Sequence, residues 1–138
     1  MFACYAINMT ERGKIDISQL KNPPEKAEFE VAKVFSDLGK DVVFIPPSSI
    51  PYQRRPDILM DGVEWEIKCP EGNSKRTIEN NIRSAEKQSG YIIIDLRRIK
   101  LSEQRCLSDI ELNFKTKIRI KRIIVITKTL DIKTFSRG

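Results

Sequence analysis

Apolar residues fall into two kinds of spacing along this chain, and the change from one to the other marks its elements. From Glu25 onward Ala27, Val31, Val34, Phe35 and Leu38 recur at helical intervals, with the break Asn22-Pro23-Pro24 ahead of them and Gly39 behind. That spacing predicts a helix over about 25–38. Residues 1–22 have no clean period and are expected to be irregular. The stretch "DVVFI" at 41–45 reads as a buried strand, and "PPSSIPYQRRP" after it as a loop rich in proline and arginine.

Next comes "RPDILMDGVEWEIKCP", residues 55–70, where Asp61-Gly62 lies between alternating residues. This is a hairpin signal, because both central positions of a type I′ turn need positive φ. The turn sets a register in which Met60 faces Val63, Ile58 faces Trp65 and Asp57 faces Glu66. Alternation then puts Ile58, Met60, Val63, Trp65 and Ile67 on the core face and Asp57, Glu64, Glu66 and Lys68 on the other. A second helix runs from about Lys75 to Gln88 on the stripe Ile78, Ile82 and Ala85, with Ser74 as N-cap and Ser89-Gly90 as its end. "YIIIDL", 91–96, reads as a strand covered on both faces. A third helix around 103–115 buries Leu107, Ile110 and Phe114 behind Ser102, and "IKRIIVIT" and "LDIKTF" complete the sheet. The order α, β, β, β, α, β, α, β, β predicts an α/β fold with a mixed sheet. At 138 residues a single domain is expected.

Composition narrows the partners. Apolar residues are 40% and charged residues 32%, with net charge +6. No apolar run reaches the ~18 residues that would span a bilayer, so no membrane role is expected. Cys4, Cys69 and Cys106 are odd in number and the chain has no histidine, which argues against a disulfide framework and a zinc site and for a cytosolic setting. Residues 1–69 carry 9 basic and 11 acidic groups, net −2, whereas 70–138 carry 16 and 8, net +8. The densest run, "KTKIRIKR" at 115–122, alternates charge with isoleucine like a strand with a basic face. With the asymmetry between halves, it points to a nucleic-acid backbone.

The hairpin carries the candidate chemistry. Directly opposed residues of an antiparallel pair have Cβ atoms roughly 4.5–5.5 Å apart, and like charges there destabilise the sheet. Asp57 and Glu66 are such a pair. Two converging carboxylates make a hard oxygen site suited to Mg²⁺ or Mn²⁺, which takes one or two protein carboxylates and fills its other positions with water and phosphate oxygen. Lys68, two residues on, would orient the attacking water and stabilise charge developing on phosphate. Glu30, at the edge of the first helix's stripe, is a further candidate ligand. The second helix has a neutral polar flank of Thr77, Asn81, Ser84 and Gln88, of which Thr77 and Gln88 are candidate substrate contacts. Arg54, Arg55, Lys75 and Arg76 are candidate phosphate contacts at the mouth, with Lys117, Arg119, Lys121 and Arg122 from the basic run.

Pro56-Asp57, followed after eight residues by Glu66-Ile67-Lys68, resembles the PD-(D/E)XK nuclease motif. The element order resembles that superfamily's αβββαβ core, here with a C-terminal α-β-β extension. Asp131-Ile132-Lys133 also fits D-x-K but lacks an upstream Pro-Asp, and so gauges chance matches. Over about residues 22–130, "NPPEKAEFEVAKVFSDLGKDVVFIPPS", "RPDILMDGVEWEIKCPEG", "TIENNIRSAEKQSGYIIIDLRR" and "IKRIIVITK" resemble the C-terminal tRNase domain of contact-dependent growth inhibition (CdiA-type) toxins. The resemblance implies a metal-dependent RNase that cuts tRNA in a recipient cell's cytosol and is held inactive by an immunity protein. It places the family's acids on Glu30, Asp57 and Glu66 and its lysine on Lys68, with Lys87 a minor candidate. Three alternatives remain at this stage: a metal-independent RNase using Lys68, Thr77 and Arg83, a DNA endonuclease of the same fold, and a nucleic-acid-binding module without turnover.

Overall fold

The computed structural model describes residues 12–137, so Cys4 lies outside the described residues. Seven strands and three helices are found there, in a mixed α/β fold: β1 (Ile15–Asp16), α1 (Lys26–Asp37), β2 (Val42–Phe44), β3 (Ile58–Met60), β4 (Val63–Lys68), α2 (Thr77–Glu86), β5 (Tyr91–Asp95), α3 (Glu103–Thr116), β6 (Arg122–Ile126) and β7 (Ile132–Ser136). From α1 onward the order is the one expected. The strand β1 precedes it, in a segment expected to be irregular. The described residues group into two compact units, divided between Val63 and Glu64.

In the first unit, β1 pairs parallel with β2, and β2 antiparallel with β3 in the register Val43 to Leu59 and Phe44 to Ile58. The apolar stripe of α1 buries Val31, Ala32 and Phe35, and the ring of Phe29 stacks on Phe44 with centroids 6.5 Å apart. Gly39 ends the helix as expected, its N–H donating to the Ser36 carbonyl at 2.9 Å. Asp61 and Gly62 have φ of 55° and 75°, the positive pair that a type I′ turn requires.

In the second unit β4, β5 and β6 run parallel, and β7 returns antiparallel on β6. The register aligns Glu66, Ile92 and Ile123, and two residues further Lys68, Ile94 and Val125. Residues aligned this way share one face of the sheet. On that face the buried cluster joins Ile78, Ile82 and Ala85 of α2, Cys106, Ile110 and Phe114 of α3, and Ile92, Ile94, Ile123 and Val125 of the sheet. Burying one isoleucine side chain contributes roughly 1.5–3 kcal/mol, so this cluster dominates the unit's stability. Covered on both faces, β5 is fully buried from Ile92 to Asp95, as its unbroken apolar run predicts.

Two local expectations are corrected. The run "KTKIRIKR" is not a strand: α3 continues to Thr116 and β6 begins at Arg122. The residues between them turn, because Lys121 and Arg122 donate to the Gly90 carbonyl at 2.7 and 3.3 Å and fasten the chain to the start of β5. Ser74 does not cap α2, which starts at Thr77 with no side-chain cap. Its hydroxyl accepts instead from Arg76 N–H at 3.3 Å, closing a turn ahead of the helix. Ser102 does cap α3, accepting from Arg105 N–H at 3.2 Å. No helix among the described residues is long and apolar enough to cross a membrane.

Candidate functional site

Parallel strands feed into loops at their carboxyl ends, where open α/β sheets place their ligands. Lys68 is the last residue of β4, at that end, and Glu66 stands two residues before it on the same face. Glu66 and Lys68 therefore share a face as expected, but around them it is not a wet one. Glu66 is only 8% exposed, and Lys68 is half-buried. The cause is α2, which covers this face and meets the lysine through a serine: Lys68 Nζ donates to Ser84 Oγ at 3.2 Å. The same Nζ lies 3.5 Å from Glu66 Oε2.

The chemistry of this group follows from its confinement. A carboxylate and an ammonium removed from water lose more solvation than a loose 3.5 Å pairing returns, so the pair costs stability unless other partners help. Ser84 is one such partner. Its oxygen accepts from Nζ, which leaves its own hydroxyl proton to donate elsewhere. Lys68 is thus held from two sides at the end of its strand.

The neutral flank of α2 resolves residue by residue. Asn81 Nδ2 donates to the Thr77 carbonyl at 2.8 Å, so that amide is spent within the helix. Gln88 Oε1 is buried without a hydrogen-bond partner among the described residues, an acceptor awaiting a donor. Ser84, which the sequence ranks no higher than its flank, is the one that touches Lys68. Its place on that flank gives no hint of this, since nothing in the sequence fixes which way Lys68 bends.

Other expected contacts are dispersed. In the first unit Glu30 and Asp57 are half-buried, and Arg54 and Arg55 are exposed. The Asp57 carbonyl accepts from Ile45 N–H at 2.9 Å, which fixes the backbone at that aspartate. In the second unit Lys75 and Arg76 are exposed ahead of α2, and Arg76 Nε bonds Glu79 at 3.2 Å. Lys87 is exposed beyond the end of α2. Lys117 pairs with Glu86 at 4.0 Å, and Arg119, Lys121 and Arg122 are exposed. That basic turn is fastened to Gly90, four residues before the Ile94 that aligns with Lys68. At about 3.3 Å per residue it lies roughly 13 Å from the Lys68 end of the strands. Arg83 pairs with Glu79 at 3.5 Å on an exposed flank of α2.

Among the described residues no group of three or more His, Cys, Asp or Glu side chains is gathered to hold a metal ion. Glu66 is a carboxylate of the kind that Mg²⁺ or Mn²⁺ takes singly or in pairs, the rest of the shell being water and phosphate.

With this geometry in place, comparison with known proteins becomes informative. The sequence model of the family described as "Contact-dependent growth inhibition CdiA C-terminal domain" matches residues 54–132, a span that includes Asp57, Glu66, Lys68 and Ser84. A chain from the solved "CdiA-CT/CdiI toxin and immunity complex from Burkholderia pseudomallei" superposes with a TM-score of 0.64 over 91% of this chain and 100% of that one. The two are 20% identical, so the likeness is one of fold. No curated protein matches.

Proposed function

This chain belongs to the contact-dependent growth inhibition CdiA C-terminal domain family, and from that premise we propose that it is a metal-dependent endonuclease that cuts tRNA. The observation that carries the reading is Glu66 and Lys68, paired at 3.5 Å on a helix-covered face at the carboxyl end of a parallel strand. An ion pair placed there, among isoleucines, weakens a core that hydrophobic residues would strengthen, and chemistry is the reason to keep it.

In this reading Glu66 is a ligand of Mg²⁺ or Mn²⁺, and the nuclease motif assigns Asp57 and Glu30 the same task. The ion, when bound, supplies Lewis-acid polarisation of the phosphodiester and an acidified water. Lys68 does the work that belongs to the chain itself. Held by Glu66 and Ser84, its ammonium donates to a non-bridging phosphate oxygen and stabilises the negative charge that grows there as the bond to the leaving oxygen lengthens. Because two partners fix Nζ before substrate arrives, little reorganisation is required at the moment of reaction. Low exposure strengthens each of these interactions relative to water.

The same reading gives the domain a recipient cell's cytosol as its place of action. It also gives it an immunity protein as its inhibitor, by analogy with the toxin and immunity complex from Burkholderia pseudomallei. Incubating the protein with total tRNA and with plasmid, each with and without chelator, tests the proposal. Cleavage of tRNA that stops in EDTA and returns with excess Mg²⁺ is expected. Chelator-resistant cleavage rejects the metal mechanism, and cleavage of plasmid alone rejects the tRNA assignment.

A further inference from the structure

Asp95 closes β5 and is fully buried, yet the nuclease chemistry leaves it without a task. Its carboxylate is gripped from three sides: Arg97 donates through Nε to Oδ1 at 2.9 Å and through Nη2 to Oδ2 at 2.8 Å, Arg98 donates through Nη1 to Oδ2 at 3.2 Å, and the Arg97 backbone N–H reaches Oδ1 at 3.0 Å. The two arginine side chains remain 25% and 29% exposed. A buried carboxylate thus holds two guanidinium groups on side chains that are only partly exposed.

Their location gives this arrangement meaning. Lys68 aligns with Ile94, so Asp95 is one step further toward the same carboxyl end, with its side chain on the opposite face of the sheet. The segment after Asp95 is bound to the segment after Lys68, since Gly72 bridges Ile99 and Lys100 N–H donates to the Gly72 carbonyl at 2.7 Å. Lys128, just past β6, donates its Nζ to the Ile99 carbonyl. All three parallel strands therefore end in basic side chains on one continuous edge. Of the acids there, Asp95 is taken up by the arginines, Glu103 accepts from the Lys128 backbone N–H at 2.8 Å, and Glu71, next to Gly72, is exposed. The basic turn at 117–122 lies at the other end of the strands.

We infer that Arg97 and Arg98, locked by Asp95, together with Lys100, form an anchoring surface for the phosphate backbone of the substrate at the same end of the strands as Lys68. The inference rests on the nucleic-acid reading above and locates where the polyanion is gripped. Preformed guanidinium groups suit this task because they lose little side-chain freedom when a phosphate arrives.

Labelled tRNA binding, followed by anisotropy across a salt series in the Glu66→Gln background so that the RNA stays whole, tests it. Arg98→Ala leaves Asp95 its three bonds from Arg97 and is expected to fold. It should weaken tRNA binding about three- to tenfold and lower the slope of log K against log salt by about 0.7–0.9. Arg98→Lys should keep the slope, and Arg119→Ala at the far end should change both quantities less than Arg98→Ala. If Arg98→Ala melts early, Lys100→Glu, at an exposed position on the same edge, carries the test in the same direction. Unchanged affinity and slope in a folded variant of either kind overturns the anchor. Because binding is measured apart from cleavage, a wild-type protein that binds tRNA through this edge but cuts nothing would sink the nuclease reading and leave the anchor standing.

Discussion

Replacing Ser84 by alanine removes one oxygen and one hydrogen bond, the 3.2 Å contact that receives Lys68 Nζ. Hydrogen bonds from charged groups contribute about 1.5–3 kcal/mol in mutational series. The long distance and the 21% exposure of the lysine side chain favour the lower end. Against a loss of about 1.5 kcal/mol, the better helix propensity of alanine returns about 0.5 kcal/mol. The net change is a destabilisation of about 1 kcal/mol, which for a chain of this length lowers Tm by about 4 °C. Pairing Ser84→Ala with Lys68→Met in a double-mutant cycle, read by urea denaturation, isolates the contact. The expected coupling is about 1–1.5 kcal/mol. In cleavage assays Ser84→Ala should lower kcat about tenfold with KM little changed, since a displaced ammonium costs the transition state about 1.4 kcal/mol and leaves substrate contacts intact. Ser84→Thr, which keeps the hydroxyl, should recover most of the rate. Additivity within about 0.3–0.5 kcal/mol would show that Ser84 and Lys68 do not act on one another.

Two further outcomes follow from the packing. A Cβ at Gly13 would stand 1.8 Å from the Lys40 carbonyl oxygen, and the same glycine bonds Ser36 through both its N–H and its carbonyl at 2.8 and 2.6 Å. Gly13→Ala should therefore cost about 3 kcal/mol in urea denaturation, and an unshifted midpoint would refute the close approach. Burial pushes the Cys106 thiol above its ordinary value of 9.0, with Asp109 and Glu103 adding to the effect and Lys128 and Arg105 opposing it. A raised thiol favours the neutral form in the folded chain, so its contribution is intact below about pH 9 and fades as the unfolded chain ionises above it. The wild type should lose more stability than Cys106→Ala between about pH 8 and pH 10, and equal losses would contradict the assignment.

The sequence made some features legible because a local rule determines them. Positive φ at Asp61 and Gly62 follows from turn chemistry, the Ser102 cap from a hydroxyl ahead of a helical stripe, and the burial of Ile92 to Ile94 from an unbroken apolar run. Long-range bonds decided the rest. "KTKIRIKR" alternates like a strand, but Lys121 and Arg122 are captured by the Gly90 carbonyl, and no periodicity reports a capture between residues some thirty positions apart. Glu66 and Lys68 were legible as chemistry, whereas the dry environment that defines them comes from α2 folding over the sheet. Ser84 and Arg98 carried no motif; only the placement of their partners, Lys68 and Asp95, distinguishes them.

Comparing the rates at which folded wild-type and Glu66→Gln proteins cut total tRNA in Mg²⁺ is the most direct test of the Glu66–Lys68 centre. The substitution keeps the shape of the side chain and removes its charge. Cleavage by the wild type, and a rate at least about 100-fold lower in the variant, is the expected result. Equal rates from the two proteins would contradict the account.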